Sequence, residues 1–457
     1  MVSFTMNKRY CSWAMPNKII LHILFYFMIG LLFFLPPLYA RDYDYINVTN
    51  PFLKKTPVAV TDFKTFNGHA QEIEIGKTAI AILKEALDFT GYLKTMNPVA
   101  FLSNPAESGI QLGEINFRDW TGIGAELLIT GGIIEAEGKI TLQLRLFDTF
   151  NAKLLVGKIY TGPESQVREM ILLFCSEISY QLTGKWGIFN SKIAFVSTVN
   201  GKKEIFSCDF DGQNIKQITT HKSISLSPSW SSDGKWLAYV SYAKGKPDIF
   251  IKNLEENRGS IINYNGMNIS PDWMPGQQKL AAALSFSGDQ EIYLLTIKGE
   301  IIKRITNSWG IDVSPDFSPD GKKIVFSSKR TGTPQIYIKD LESESAIRLT
   351  FKGNHNTSPA WSPDGRKIAY VGIENNSIDI FVINIDTGMP VQLTMNEGDN
   401  EDPSWSPDGS MLVFTSTRHG NVPGIFVMNA SGSEPRRLLQ LKGKQTQPDW
   451  SLPKSIE

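Results

Sequence analysis

The sequence predicts a mainly β protein, in which a six-bladed β-propeller follows a small N-terminal α/β domain. The first observation is a motif of proline, any residue and an aromatic residue, which recurs six times at intervals of 43 to 45 residues. The second is that β-rich runs follow each of the first five motifs. Periods of about 40 to 50 residues are typical of four-stranded propeller blades. The six aromatic residues are Trp230, Trp273, Phe317, Trp361, Trp405 and Trp450.

The first forty residues have the composition of a secretory signal peptide. Three basic residues precede a largely apolar run of 17 residues, Ile19 to Leu35, and no acidic residue occurs before Asp42. The segment ends on a small residue, Ala40, as cleavage sites do. We therefore expect residues 1–40 to be removed. A retained membrane anchor is the alternative, because 17 apolar residues are close to the shortest run that spans a bilayer.

The composition is that of a globular protein without a dominant charge. Hydrophobic residues make up 42% of the 457-residue chain, and its 46 Lys and Arg residues equal its 46 Asp and Glu residues in number. Removal of residues 1–40 would leave 43 basic and 46 acidic residues, a net charge of −3. This balance favours neither nucleic acid nor an anionic membrane as a partner.

Cysteine is scarce in this sequence. Cys11 lies in the predicted signal peptide, whereas Cys175 and Cys208 lie in a predicted helix and a predicted strand of different domains. We therefore expect two buried free thiols and no disulfide bond. The hydrophobic core then has to hold the fold together, even in an oxidising compartment.

Residues 41–188 contain no repeat and predict the α/β domain. Apolar runs predict strands, and apolar residues at helical spacing predict two helices. The predicted strands span 57–63, 126–135 and 139–148, and the predicted helices span about 72–88 and 163–182. Their order suggests helices on one face of a mixed sheet. The segment 41–55 lacks periodicity, and we expect a mobile tail there.

Each repeat predicts one blade of four strands. The strand that carries the aromatic residue runs into a Ser-Pro-Asp-Gly turn or a close variant, in which proline fixes one φ angle and glycine supplies a left-handed residue. The second repeat has Met-Pro-Gly-Gln at 274–277 instead, which fits a type II turn. Three β-rich runs follow each turn, as at 324–328, 335–340 and 347–350.

The two ends of the repeat region complement each other. Residues 192–197 predict a second strand without a first strand ahead of it, and residues 447–451 predict a first strand without a second strand after it. Pairing the two closes a ring and removes both exposed sheet edges. We therefore predict a six-bladed propeller over residues 189–457 that is closed by the C-terminal strand.

The repeated tryptophan allows two interpretations. It could form a stacking platform for sugars or bases, or it could fill the core between neighbouring blades. Propeller repeats commonly carry one large aromatic residue per blade for packing. We therefore expect the tryptophans to be buried between blades.

The sequence contains no recognisable catalytic constellation. It has no G-x-S-x-G nucleophile elbow, and its five histidines do not pair at metal-ligand spacing. We expect Asp233, Asp320, Asp364 and Asp408 to stabilise turns. The acidic segment 396–403 is interpreted as a solvated loop, with a calcium site as the alternative. The sequence thus predicts a protein without catalytic residues, cofactor or metal.

Because no catalytic site is predicted, we look for binding residues in the segments that connect one blade to the next. They precede each first strand and should surround one mouth of the central channel, where mixed polar and apolar loops on a rigid scaffold suit protein binding. The predicted partner-binding residues are Ile224, Ser225, Met267, Asn268, Ile311, Asp312, His355, Asn356, Asp399 and Asn400.

The whole mature sequence resembles the TolB family of the periplasmic Tol–Pal system. The similarity is carried by repeats such as SPAWSPDGRKIAYVG, by YQLTGKWGIFNSKIAFVS at 180–197, and by GAELLITGGI and LQLRLFD in the N-terminal domain. The helix before 180–197 departs from the family, since Phe174 or Cys175 stands where a histidine is common.

The resemblance implies a function. TolB-like proteins bind the lipoprotein Pal at the propeller mouth and TolA through the mature N-terminus, which here begins with Arg41, Asp42 and Tyr43. It implies a monomeric, non-catalytic periplasmic scaffold that supports outer-membrane integrity and constriction at cell division, without inserting into a membrane after signal cleavage. Some members are exploited for colicin entry. The alternative is a secreted propeller enzyme or glycan-binding module.

Overall fold

The computed structural model describes residues 45–48, 50, 54–102, 109–199, 201–256 and 258–453. The predicted signal peptide and the predicted binding residues Arg41, Asp42 and Tyr43 lie outside these ranges. No helix within the described ranges is both long enough and apolar enough to cross a membrane.

The N-terminal domain contains one mixed sheet and three α-helices. Its strands are β1 (Thr56–Val60), β2 (Lys64–Thr65), β3 (Leu93–Thr95), β4 (Leu127–Ala136), β5 (Lys139–Asp148) and β6 (Lys153–Gly162). Its helices are α1 (Ala70–Phe89), α2 (Phe117–Gly122) and α3 (Val167–Thr183). Short 3-10 helices span Pro98–Ala100, Leu112–Glu114 and Glu164–Gln166. The sheet order is β3-β1-β4-β5-β6, with β2 paired to β4.

The sheet is parallel on one side and antiparallel on the other. Strand β1 pairs in parallel with β3 and β4, whereas β4, β5 and β6 form an antiparallel meander. The predicted apolar stripe of α3, which includes Met170, Phe174 and Ile178, is buried against this sheet together with α1. Helix α2 packs through Trp120 on the opposite face with Leu128 and Phe147. The prediction of helices on one face therefore holds for α1 and α3 only.

The propeller consists of six four-stranded antiparallel sheets. Blade one contains β10 (Ser225–Trp230), β11 (Trp236–Ser241), β12 (Asp248–Asn253) and β13 (Gly259–Ile262), and blade two contains β14 (Asn268–Trp273), β15 (Lys279–Leu284), β16 (Glu291–Thr296) and β17 (Ile301–Arg304). Blade three contains β18 (Asp312–Phe317), β19 (Lys323–Ser328), β20 (Gln335–Asp340) and β21 (Ile347–Arg348), and blade four contains β22 (Asn356–Trp361), β23 (Lys367–Glu374), β24 (Ser377–Asn384) and β25 (Pro390–Gln392). Blade five contains β26 (Asn400–Trp405), β27 (Met411–Ser416), β28 (Gly424–Asn429) and β29 (Arg436–Arg437).

Blade six combines segments from the two ends of the repeat region. Its strands are β30 (Gln445–Trp450), β7 (Lys192–Val199), β8 (Lys202–Asp209) and β9 (Lys216–Gln217). Strand β30 pairs antiparallel with β7, and Trp450 lies opposite Ile193. The Ser451 hydroxyl accepts a hydrogen bond of 2.8 Å from the Lys192 backbone amide. The predicted blade count and the predicted closure of the ring are both confirmed.

The repeated aromatic residues form the core between blades. Each of the five tryptophans is 5–8% exposed, and Phe317 is 5% exposed. Trp405, for example, packs with Ile380 and Val382 of blade four and with Leu412 and Phe414 of blade five. The interpretation of these residues as packing residues is confirmed, and a stacking platform is excluded for them by burial.

The Asp-Gly turns have the structural role that their sequence predicts. In the turn of blade three, Asp320 accepts hydrogen bonds from the Ser318 hydroxyl at 2.6 Å and from the Lys322 backbone amide at 3.1 Å. Gly321 has a φ of +68°, which a residue with a Cβ atom adopts only with strain. Asp233, Asp364 and Asp408 make the same serine contact in their blades.

Candidate partner-binding face of the propeller

The antiparallel blades give the propeller two different ends. One end, which we call the hairpin face, carries the loops between first and second strands and between third and fourth strands. The other end, which we call the loop face, carries the loops between second and third strands and the connections from a fourth strand to the next blade. All the predicted binding residues of the propeller belong to the loop face or to the first position of an adjoining strand.

The N-terminal domain packs on the hairpin face at blades five and six. Lys185 donates a hydrogen bond to the Asp408 carbonyl at 2.8 Å, and Arg436 donates one to the Phe89 carbonyl at 2.7 Å. Arg168 of α3 forms an ion pair of 2.7 Å with Asp211. The hydrophobic core is continuous between the domain and these blades, and it contains both free thiols, Cys175 and Cys208. The loop face therefore lies at the end of the propeller away from these contacts.

The described binding residues divide into two groups by burial. Ile224, Met267, His355 and Asp399 are exposed, and Ile311 is half-buried. Their chain neighbours Ser225, Asn268, Asp312, Asn356 and Asn400 are at most 2% exposed. A partner that approaches the loop face therefore meets the first group, and the second group lies underneath it.

Three of the five buried residues donate hydrogen bonds to the preceding blade. Asn356 donates to the Gln335 side chain at 2.9 Å, and Asn400 donates to Asp379 at 3.2 Å. Asn268 donates to Asp248 at 3.1 Å. Since an unpaired polar group is costly to bury, these contacts fix blades two, four and five against the blades that precede them and stiffen the loop face there.

Large apolar side chains protrude from the loop face. Trp309 is 78% exposed and Phe351 is 75% exposed, although both residue types are usually buried. The exposed apolar residues in the described loops of this face are Ile224, Met267, Phe286, Trp309, Phe351, Met395 and Val422. The described loops of the hairpin face expose fewer such residues, namely Ile215, Met389 and Leu452. Contiguous apolar surface marks an interaction site, and these residues are the candidates for such a surface on the loop face.

Several of these residues were not predicted from the sequence. Trp309, Phe351 and Met395 lie three to five residues before a first strand, whereas the prediction used only the last two residues of each connection. The pair Lys444 and Gln445 of blade six occupies the same place as the ten predicted residues and was also missed. A large apolar residue within an otherwise polar loop is the sequence signal that could have predicted Trp309, Phe351 and Met395.

Half-buried carboxyl groups line the central channel. Its wall surrounds a cavity of about 170 Å³ and includes Asp272, Asp316, Asp402 and Asp449. Burial raises the pKa of Asp316 and of Asp449 to about 7 and the pKa of Asp402 to about 6. Burial and the nearby carboxyls of Asp316 and Asp449 raise the pKa of Asp272 well above its ordinary value. These groups therefore gain protons more readily than ordinary aspartates.

The first strands bend around this channel at a strained residue. The residue before the proline of each repeat has a φ of 49–52°, and a β-bulge interrupts the pairing there. A left-handed conformation costs a residue with a Cβ atom roughly 1–2 kcal/mol. The six residues are Ser227, Ser270, Ser314, Ser358, Asp402 and Gln447.

Among the described residues, no group of three or more His, Cys, Asp or Glu side chains is arranged to hold a metal ion. His221 shares a hydrogen bond of 2.8 Å with the Ser241 hydroxyl, and partial burial lowers the pKa of its imidazole. The site therefore offers apolar contacts and charges on a rigid ring.

Comparison with known proteins identifies the family. Family profiles described as the TolB amino-terminal domain and the TolB beta propeller domain match residues 44–155 and 180–454. A Tol-Pal system protein TolB from Desulfosudis oleivorans is 61% identical over 424 residues, which cover 93% of this chain and 97% of that protein. A protein TolB homolog from Chlorobaculum tepidum is 40% identical over 249 residues, 54% of this chain and 56% of that protein.

A solved structure supports the same assignment. The crystal structure of TolB from Acinetobacter baumannii superposes with a TM-score of 0.76 and 28% identity, and the alignment covers 87% of this chain and 97% of that one. The similarity thus includes both the N-terminal domain and the propeller. The chain belongs to the TolB family and is a component of a Tol–Pal system.

Proposed function

We propose that the protein is a non-catalytic periplasmic scaffold that binds a Pal-like lipoprotein through the loop face of its propeller. The observation that carries this proposal is the set of exposed apolar side chains on that face, above all Trp309 and Phe351. Buried aromatic anchors contribute much of the binding energy of protein interfaces. A Pal-like lipoprotein is the partner that the resemblance to TolB implies.

The rigid construction of the loop face supports this role. Hydrogen bonds between blades hold the residues beneath the apolar side chains in place. Binding of a partner therefore costs little conformational entropy in this part of the protein. The N-terminal domain occupies the hairpin face at blades five and six and leaves the loop face accessible.

We further propose that a TolA-like protein binds the mature N-terminus, which begins at Arg41, Asp42 and Tyr43. This assignment rests on the position of the segment in the chain, ahead of the α/β domain. In this role the protein links two partners and supports outer-membrane integrity and constriction at cell division.

The experiment compares paired alanine variants by their affinity for the purified periplasmic domain of the Pal-like lipoprotein from the same organism. Trp309→Ala with Phe351→Ala should weaken binding at least about tenfold without lowering the melting temperature. Ile215→Ala with Met389→Ala removes exposed apolar residues from the hairpin face and serves as the control. Unchanged affinity of the first pair, or equal loss in both, would contradict the assignment of the face.

The second interaction needs its own test. Deletion of residues 41–46 should abolish binding of a TolA-like periplasmic domain and leave binding of the Pal-like domain intact. Retained binding of the TolA-like domain would remove the N-terminus from the proposal.

A further inference from the structure

The two faces of the propeller carry opposite charge. The loops and connections of the loop face contain nine Lys and Arg residues and three Asp and Glu residues. The loops of the hairpin face contain five Lys and Arg residues and twelve Asp and Glu residues. The chain as a whole is balanced, with a formal net charge of 0. The charge asymmetry is therefore a property of the fold and does not follow from the composition.

Six of the nine cations on the loop face have no acidic partner among the described residues. Arg330 forms an ion pair of 2.9 Å with Asp312, Arg418 forms one of 2.8 Å with Glu397, and Lys246 is paired with Asp248. The other six are exposed lysines for which no ion pair occurs within the part of the chain that the structure describes. They are Lys222, Lys244, Lys329, Lys352, Lys442 and Lys444.

The lysines share the loop face with the exposed apolar residues. They come from five different loops or connections of the face, which belong to different blades around the channel. The exposed Trp309 and Phe351 lie on two connections of the same face. Apolar contacts accompanied by charged residues are the usual anatomy of a protein interface.

We propose that the loop face recognises an acidic protein surface with an apolar centre, and that its six unpaired lysines guide this surface to the face. This inference rests on the proposed function and names the chemistry of the partner. A charged rim of one sign raises the association rate of an oppositely charged partner and excludes partners of like charge. The acidic hairpin face would at the same time repel that partner from the wrong end.

An anionic membrane is the other surface that lysines and aromatic residues could bind. The loop face fits it less well, because it also carries two exposed carboxylates, Asp289 and Asp399, for which no ion pair occurs among the described residues. A uniformly anionic surface meets these two carboxylates with repulsion, whereas a protein surface can place a cation opposite them.

The test measures association and dissociation rates with the periplasmic domain of the Pal-like lipoprotein. Lys442→Glu with Lys444→Glu should slow association about tenfold and change dissociation little, since rim charges act mainly on the association rate. Lys298→Glu with Lys322→Glu makes the same change of charge at exposed lysines of the hairpin face. This control pair should leave the association rate within about twofold of the wild-type rate, or raise it.

Salt gives an independent readout on the unmodified protein. The Debye length falls from about 10 Å at 0.1 M to about 3 Å at 1 M salt, so the association rate of the wild-type protein should fall steeply over this range. The variant with reversed charge on the loop face should show a weaker dependence on salt. Equal salt dependence in both proteins would overturn the inference.

The outcomes separate the inference from the proposed function. If the Pal-like domain binds the loop face but associates equally fast with both charge-reversal pairs, the inference is wrong and the proposed function stands. If the wild-type protein binds no Pal-like domain, the proposed function fails together with the inference. Binding to vesicles of phosphatidylglycerol and phosphatidylethanolamine that Lys442→Glu with Lys444→Glu abolishes would replace the protein partner by a membrane.

Discussion

The Asp449 carboxylate accepts a hydrogen bond of 2.7 Å from the backbone amide of Trp230, and this contact ties the C-terminal strand to blade one. In the same way, the Phe317 amide donates to Asp272 at 3.0 Å and the Trp361 amide donates to Asp316 at 2.5 Å. A carboxylate that lines the channel thus fixes the aromatic strand of the following blade. The aspartate two positions after the repeated proline-preceding residue therefore has two effects. It holds neighbouring blades together, and it places a carboxyl group in the channel wall.

The first prediction concerns pH. Burial raises the pKa of Asp449 from 3.8 to about 7, so the stability that this group contributes is fully present below about pH 4 and is lost as the pH rises through about 7. Asp449→Asn keeps an acceptor for Trp230 and removes the charge. Relative to wild type, the variant should gain about 1–3 kcal/mol in free energy of unfolding between about pH 4 and pH 8, measured by urea denaturation.

Asp320→Asn provides a control of opposite sign. The Ser318 hydroxyl lowers the pKa of Asp320, so its contribution to stability is present above the ordinary pKa of an aspartate and is lost as the pH falls. This variant should therefore lose stability relative to wild type as the pH rises to about 4 and keep a constant difference from about pH 4 to pH 8. The same pH trend in both variants would show that the channel carboxylates are not the cause.

The second prediction concerns the ion pair between Arg330 and Asp312 on the loop-face side of blade three. Arg330 lies 2.9 Å from Asp312, whose side chain is fully buried. Arg330→Ala leaves this carboxylate without its cation and should lower the free energy of unfolding by about 3 kcal/mol. Asp312→Asn should recover part of that loss in the double variant. A double-mutant cycle measured by chemical denaturation checks this, and purely additive losses of stability would refute a coupling between the two groups.

The third prediction concerns the aromatic core. Trp405→Ala removes a side chain that fills the space between blades four and five and whose indole nitrogen donates to the Ala360 carbonyl at 3.1 Å. The variant should lose about 3–5 kcal/mol, measured by equilibrium unfolding. Trp309→Ala is the matched control, because Trp309 is 78% exposed and should change stability by less than about 0.5 kcal/mol. Similar losses in both variants would be inconsistent with this assignment.

The fourth prediction tests the contact between the N-terminal domain and blade five. A Cβ atom on Gly91 would lie 2.5 Å from Oδ1 of Asn429, whereas a Cβ atom on Gly68 would meet nothing within 4 Å. Both glycines have a positive φ, +77° and +71°, so both alanine variants carry the same backbone strain. Gly91→Ala should therefore lower the thermal stability more than Gly68→Ala, by about 1–2 kcal/mol. Equal melting temperatures would place the Asn429 side chain elsewhere.

The sequence predicted the architecture because each blade repeats one pattern. The aromatic motif, the Asp-Gly turn and the alternating runs each predict a local structure. These predictions are consistent with one another along the repeats. Residues 192–197 and 447–451 indicated the closed ring, because one is a second strand without a first strand and the other is a first strand without a second strand. Pairing them completes a blade and leaves neither edge exposed. In the N-terminal domain, strands β2, β3 and β6 and helix α2 were missed. Helix α2 has only six residues, too few for a helical spacing of apolar residues to repeat.

The binding face was harder to predict from the sequence. Asn356 and His355 look alike as polar residues ahead of a strand, yet one is buried and the other exposed. Their difference arises from the preceding blade, which covers the first position of the strand and supplies Gln335 as a hydrogen-bond partner. The charge asymmetry of the two faces was hidden for a similar reason, because a balanced total charge carries no information on where the charges lie.

The pairing of β30 with β7 makes assembly of the ring depend on two segments that are about 250 positions apart in the chain. Closing a loop of this length costs several kcal/mol of chain entropy, roughly 1.5RT ln n. A nascent polypeptide that has not yet supplied Gln445–Trp450 leaves the inner edge of blade six bare, and Ser191 without its indole partner Trp450. Blades one to five can form by local strand pairing, but the ring closes only when the final strand is present. Premature termination therefore yields an open ring with an exposed strand edge, which is prone to aggregation and accessible to proteases.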